Sequence, residues 1–447
     1  MGVSKFLKRI KQVIRRKHYT ECKDELALID THQRICNCVI AIRGNGSDMT
    51  TKDGKIKSHL FAIWSYALLL IRRSIKPLFV FDGKTVSRKK VKVKERRDAK
   101  EKAQEICDNT EDKESDTWKK NFKRSFKLDR SHIEECQQLL THMGIPFVQA
   151  PEEADSQIAA MSQKWKCPAV TKDSDVLPYG AYSMWTECSG KDKFITIVTK
   201  QDVLDEYKKM VNLILIDLGK KPITEFKQEY LIDISCFMGT DYDDGIRIKG
   251  LSFETLLRFY TMNDFDGTKM IAFMEEEKKR SDELLILEES KKVADFSKII
   301  IPKNYVDVWN GARGVYLEAK IIDPDTICKE MKRPNKEKVV ELLCTVNEFD
   351  KKTISSQVDE LIRFYEQNNM PTDNRFFHFR SYQKKHLNQQ YQRKSYYGGS
   401  YDYKKTHEYK KASGHAGPAG PPIGSTKKKY YRYTTHPPTS GIRGFKY

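Results

Sequence analysis

Short apolar runs that end in acid recur along the first 180 residues. Residues 25–30 read ELALID and end in Asp30, and residues 77–83 read PLFVFDG and carry Asp82. The run at 146–148 leads to Glu153 and Asp155, and the run at 167–170 leads to Asp173 and Asp175. Between these runs the apolar spacing changes to three and four, which predicts helices. One starts near Thr31, one covers 58–74, and one covers Ala154–Trp165 with Ile158, Met161 and Trp165 on one face. Strand, acid and helix in repetition predict an α/β fold with a mainly parallel, twisted sheet flanked by helices.

The rest of the chain is less regular. Residues 3–17 read as a basic amphipathic segment with Phe6, Ile10 and Ile14 on one face. A strand and helix start fall in 193–206, followed by a lysine-rich helix and loop over 205–227. Helices at 228–237 and 253–260 flank MGTDYDDGIRIKG, where Gly239, Gly245 and Gly250 punctuate a run of acids headed by Asp241. Helix, glycine-bearing turn and helix is a form that grips a phosphate backbone through main-chain N–H groups. Residues 262–370 are mostly helical, closing with 337–343 and 354–367.

Composition marks two departures from this pattern. Between Lys84 and Lys100 stand nine Lys/Arg against Glu95 and Asp98. The stretch that follows interleaves Trp118, Phe122 and Phe126 with Lys119, Lys120, Lys123 and Arg124. Residues 84–130 therefore predict a projecting helical insertion beside Asp82, and its basic and aromatic mixture suits nucleic acid. From Pro371 to Tyr447 there are 16 Lys/Arg against 3 Asp/Glu, and Leu387, Ile423 and Ile442 are its sole Leu, Ile or Val residues. Such a segment has nothing to build a core from and is expected to be a disordered, basic, tyrosine-rich tail on a folded body at 1–370.

The net charge of +19 points to a polyanionic partner, nucleic acid before membrane. The cysteines lack metal spacing and read as free thiols in an intracellular, reducing compartment. No apolar run is long enough to span a bilayer. A single acid after a strand is usually a turn former or helix cap. Paired acids at equivalent ends of successive strands are different, because like charges at one edge repel unless cations lie among them. Carboxylates alone offer the all-oxygen ligand set that Mg²⁺ prefers.

Taken together, these stretches resemble a flap endonuclease of the XPG-type structure-specific 5′ nucleases. The resemblance runs over about residues 1–368. It rests on MGV at the start, LALID, PLFVFDG, MGIPFVQAPEEADSQIAA, TKDSDVLPYG and MGTDYDDGIRIKG, with YLEAKIIDPD and the 333–361 stretch further on. It implies a PIN-like, resolvase-like sheet, a helical arch at 84–130, and a helix–two-turn–helix duplex grip at 228–260. It further implies a hydrolase that cuts DNA phosphodiesters at single-strand/double-strand junctions in replication and repair, using two Mg²⁺ ions for which Mn²⁺ substitutes. By the same resemblance Asp30, Asp82, Glu153 and Asp155 match one metal cluster, and Asp173, Asp175 and Asp241 match the other. Lys89, Lys90, Lys92 and Lys94 are the candidates for contact with the scissile phosphate. Gly2, Arg96, Arg97, Gly239, Gly245, Lys249 and Gly250 are the candidates for binding DNA.

The chain departs from the family pattern in several places. Asp155 stands where Glu is usual, and Cys36 where many relatives carry an aromatic. Ile248-Lys249-Gly250 replaces a G-I-G, and Ser252 and Phe253 follow where basic residues are usual. These departures suggest a divergent, viral type of member. No sliding-clamp motif stands in the tail, and a monomer acting on branched or flapped DNA, in the nucleus or at a viral replication site, is expected. The rival readings are a 5′→3′ exonuclease or Holliday-junction resolvase of the same superfamily, and a non-catalytic junction-binding scaffold. The long basic insertion argues against a resolvase, and the full set of seven acids argues against a scaffold.

Overall fold

The computed structural model describes Val3 and residues 6–187, 192–243, 245–286 and 296–369. Seven strands form one sheet: β1 Arg15–His18, β2 Leu26–Asp30, β3 Lys76–Phe81, β4 Phe147–Gln149, β5 Pro168–Val170, β6 Ser183–Glu187 and β7 Phe194–Thr199. Their order is β1-β7-β6-β5-β2-β3-β4. The five strands from β6 to β4 are parallel to their neighbours, while β7 runs antiparallel to both β6 and β1.

Alternation along each strand splits the core into two faces. Leu28, Leu78, Val80, Val148, Ala169 and Met184 point to one side, where Ala154–Trp165 packs Ile158 and Met161 against them. Ile29, Phe79, Phe81 and Trp185 point to the other, covered by Thr31–Ile42, Ser58–Arg72 and Arg130–Met143. The long C-terminal helix Lys351–Asn369 wraps back over Ser58–Arg72. There Arg72 pairs with Glu360 at 2.8 Å and Trp64 Nε1 donates to Gln357 Oε1 at 2.6 Å.

The chain lays β2, β3 and β4 outward in one direction, then returns to place β5 and β6 on the other side of β2. The order reverses between β2 and β5, and in an open α/β sheet the crevice at such a switch point, beyond the carboxyl ends of the strands, is where ligands bind.

Two expectations need correction. The segment at 3–17 is a single helical turn, Phe6–Arg9, then a 3₁₀ turn, then β1. Phe6 and Ile10 are buried as expected, but Arg15–His18 finds unpaired backbone on β7, and pairing with it outweighs helical continuation. The insertion after Asp82 also divides. Its first helix, Lys90–Asp108, is largely solvated, but its second, Asp116–Arg124, belongs to the body. Trp118 and Phe126 are buried, Trp118 stacks on Phe122 with ring centroids 4.6 Å apart, and the Arg43 guanidinium lies 4.4 Å over Phe122 while donating to its carbonyl. These aromatics hold the insertion down and are not offered to bases. The tail from Pro371 lies outside the described residues.

Candidate active site

The acids gather at the switch point. Asp30 is the last residue of β2, Asp82 follows β3, Glu153 and Asp155 follow β4, and Asp173 and Asp175 follow β5. Asp241 comes from the turn after Gln228–Met238. Asp30, Glu153, Asp155, Asp173 and Asp175 are all buried, Asp175 to 1 % exposure. Asp82 is more open.

Local folding explains part of this. Asp30 caps Thr31–Ile42, its Oδ1 accepting from Gln33 N at 3.0 Å, and its Oδ2 accepts from Thr171 Oγ1 at 3.1 Å. Asp82 Oδ1 accepts from Ala154 N at 2.8 Å and so helps start the next helix. Asp173 Oδ1 accepts from Asp175 N at 3.2 Å. The capping reading of these acids is therefore correct as far as it goes. It does not cover Asp155 and Asp175, each of which buries an Oδ1 with no donor in good hydrogen-bond geometry, although the Tyr316 hydroxyl lies beside Asp175. A buried carboxylate oxygen without a donor is costly unless something positive is to meet it.

Electrostatics binds the seven together. Burial, then the nearby Asp82, pushes Asp30 up to about 7. Burial and Asp173 raise Asp155 and Asp175 well above the ordinary carboxylate range, with Asp30 adding to the first and Asp241 to the second. Burial likewise raises Asp173 and Glu153. Two cations of the chain itself lean into this charge. Lys89 Nζ makes a close ion pair with Glu153. Burial works against its charge, but Glu153, Asp155 and Asp175 together outweigh burial and raise its pKa. Arg96 donates to Asp241 Oδ2 at 2.5 Å from the solvated arch helix. Among the described residues no three Asp, Glu, His or Cys side chains stand close enough together to hold a metal ion. The all-oxygen donor set and the two under-satisfied oxygens nevertheless suit hard divalent cations.

The other candidates fall elsewhere. Lys90 and Lys94 are exposed, and Lys92 pairs with Glu95 of its own helix at 2.8 Å. Arg97 faces Glu101 at 3.8 Å. Gly239, Gly245 and Gly250 all take positive φ in the turn between Gln228–Met238 and Phe253–Met262, and Gly250 passes so close to the Lys298 carbonyl that no side chain would fit. Lys249 is exposed, its backbone bridged to Ile300. Ser252 caps Phe253–Met262 by accepting from Thr255 N, and Phe253 is buried under Arg9. Gly2 lies outside the described residues.

Two residues escaped sequence reasoning. Tyr242 donates to Glu153 Oε2 at 3.2 Å, shares a 2.9 Å hydrogen bond with Tyr179, and presents its ring 5.6 Å below Lys89 Nζ. Asp243 builds the turn itself, accepting from Thr240 N, Gly245 N and Arg247 Nε at 3.0, 2.9 and 2.7 Å. The signal was present in MGTDYDDG, where acids alternate with an aromatic, but only Asp241 was singled out.

A carboxylate cluster therefore stands at the switch point of a mainly parallel sheet, beside the basic helix Lys90–Asp108. Residues 1–103 match the XPG N-terminal domain and residues 144–241 the XPG I-region. The chain thus carries both XPG regions in order, and the resemblance to the XPG-type structure-specific nucleases is borne out. It is 28% identical over 348 residues to flap endonuclease 1 of Nematostella vectensis, covering 75% of this chain and 79% of that one. In fold it is similar to the catalytic core of Rad2 in complex with DNA substrate, with a TM-score of 0.56, 18% identity, and 81% of this chain and 100% of that one covered. It is also similar to flap endonuclease-1 from Methanococcus jannaschii, with a TM-score of 0.52, 22% identity, and 81% of this chain and 99% of that one covered.

Proposed function

We propose that the protein is a 5′ flap endonuclease acting in DNA replication and repair, which hydrolyses a phosphodiester at a single-strand/double-strand junction with the help of two divalent cations. The observation that carries this reading is the pair of buried, under-satisfied carboxylate oxygens on Asp155 and Asp175, set among five further acids at the switch point. Asp30, Asp82, Glu153 and Asp155 would hold one cation and Asp173, Asp175 and Asp241 the other. Mg²⁺ fits this oxygen set, and Mn²⁺ is expected to substitute. Cations held there would supply charge relief on the phosphoryl oxygens and help activate an attacking water.

The chain's own groups do the rest. Lys89 is kept charged beside the acids and within reach of a phosphate bound there, so it would neutralise developing charge on the phosphoryl oxygens. Tyr242 orients Glu153. Arg96 holds Asp241 from the arch, a contact that a phosphate entering beneath the arch would exchange for its own. Gly239, Gly245 and Gly250 shape a turn that fits a duplex backbone, and Lys249, Arg97 and the exposed arch lysines would add phosphate attraction without sequence preference. The 19-residue arch helix favours a flap over a Holliday junction as substrate.

A labelled 5′-flap duplex, a recessed 5′ end and a four-way junction, each with Mg²⁺ or with EDTA, test the proposal together. Mg²⁺-dependent cleavage at the flap junction is expected. Preferred cutting of the four-way junction would make it a resolvase, stepwise loss of 5′ nucleotides an exonuclease, and binding without cleavage a scaffold.

A further inference from the structure

The arch is fastened to the body at a point outside the acid cluster. Arg88, the residue before Lys89, sits in the 3₁₀ turn Ser87–Lys89 that opens the arch. Its guanidinium lies on Gly311, in the middle of helix Tyr305–Leu317, so closely that a Cβ built on Gly311 would fall on the guanidinium itself. Glycine in a helix interior costs stability relative to alanine; Gly314 of the same helix faces open space, but at Gly311 the room is filled. Here the occupant of that room is Arg88. The groove around it, about 610 Å³, is lined by Asp307 and Glu318 as well as Gly311 and Gly314, with Glu152, which pairs with Lys320 at 3.2 Å, at its side.

The same helix is locked to the duplex-grip element. Arg313 Nε donates to Asp233 Oδ1 at 2.6 Å, and Trp309 stacks on Phe237 with centroids 5.2 Å apart, both partners lying on Gln228–Met238. The contacts therefore run from the grip helix through Tyr305–Leu317 to Arg88, and from there by one peptide bond to Lys89 and its ion pair with Glu153. Resting on the reading of Lys89 as the group that meets the phosphate, we propose that Arg88 seated on Gly311 is a positioning residue, which holds Lys89 over the acids and ties the arch base to the element that grips duplex.

Gly311→Ala is a sharp probe, because the group it displaces is the free end of a flexible side chain and the helix backbone needs no change. The test uses the full chain on a 5′-flap DNA with Mg²⁺, reading single-turnover rate, flap Kd and melting temperature for Lys89→Ala, Arg88→Ala, Gly311→Ala and the doubles. Arg88→Ala and Gly311→Ala should each slow the single-turnover step by on the order of tenfold, as displaced catalytic groups do, with Kd within about threefold of wild type. Gly311→Ala should add nothing to Arg88→Ala in rate while raising the melting temperature of that variant, and Arg88→Ala should add nothing to Lys89→Ala. Additive losses, or Arg88→Ala at wild-type rate beside a crippled Lys89→Ala, would overturn the positioning role and leave Lys89 standing. Lys89→Ala at wild-type rate would instead remove Lys89 from the reaction, and Arg88's positioning role with it.

Discussion

At the carboxyl edge of the sheet, five carboxylates are packed out of water and two of their oxygens have no well-placed partner. Along the arch helix Lys90–Asp108, a comparable density of charge stands in solvent, where Lys92 answers Glu95 and Arg97 faces Glu101. The two regions carry opposite signs in the same sequence neighbourhood, yet their physics differs. The buried acids repel one another in a medium that screens poorly, so the fold holds them at a cost that Lys89 and proton uptake relieve in part and a bound cation would relieve further. The exposed bases are screened by water and salt and cost the fold little. Charge that is expensive to keep is the better guide to chemistry, and Lys89, largely buried against Glu153 just before that helix, should behave like the acids and not like its exposed neighbours.

The largest effect should come from the most buried acid. Asp175→Ala should reduce flap cleavage in Mg²⁺ by at least on the order of a hundredfold while leaving flap binding within a few-fold, because affinity rests on basic surface. The same change relieves repulsion among the buried acids, so the melting temperature in EDTA should fall less than burial of an aspartate elsewhere would suggest, and should hold if the repulsion dominates. Near-wild-type turnover at saturating Mg²⁺ would break the comparison at its root. Next in size is Lys89→Ala, expected to lower the single-turnover rate by roughly a hundredfold with little change in duplex affinity. A loss confined to binding would return Lys89 to the solvated class.

Stability against pH sharpens the contrast further. Burial raises Asp30 to about 7 and also raises Glu153, Asp155, Asp173 and Asp175, whereas unfolded carboxylates titrate near about 4. Between those values the folded chain binds more protons than the unfolded one, so stability is present below about pH 4 and declines as pH rises toward 7. In EDTA the melting temperature should fall across that window. Mg²⁺ binds the ionised form and should raise it more at pH 7.5 than at pH 5.5. An equal Mg²⁺ effect at both values would mean that the acids do not hold the cation.

Much of this was legible in the chain. Six of the seven acids could be placed because they close or closely follow an apolar strand, while Asp241 follows a helix, and Ala154–Trp165 follows its apolar spacing end to end. What escaped depends on neighbours distant in sequence. Arg15–His18 is a strand because β7 presents an open edge, and Ser183–Glu187 is a strand because β5 lies alongside. Trp118, Phe122 and Phe126 look like a base-stacking series until Arg43, some 80 residues earlier, is seen to bind them into the body. Tyr242 touches Glu153 across 89 positions of chain. Four arch lysines could not be ranked by spacing, because the rank depends on where the 3₁₀ turn aims the chain as it leaves Asp82.

That ranking yields the smallest expected effect and the finest test. Lys90, Lys92 and Lys94 occupy the first two turns of the helix Lys90–Asp108, and replacing all three with alanine removes two exposed charges and one that is half-buried and paired with Glu95. Exposed charges are worth little individually, and their pull on a phosphate is screened within about a Debye length, roughly 8 Å at physiological salt. Alanine is also a good helix former, so the helix itself should persist. The triple variant should therefore bind flap DNA a few-fold more weakly at low salt and almost normally at high salt, with a shallower dependence of log affinity on log salt. Its single-turnover rate at saturating enzyme should stay within about threefold of wild type. If that rate instead fell as far as in Lys89→Ala, the lysines would have to swing inward when DNA enters, and the division between a buried, reactive charge and a solvated, steering one would apply only to the DNA-free protein.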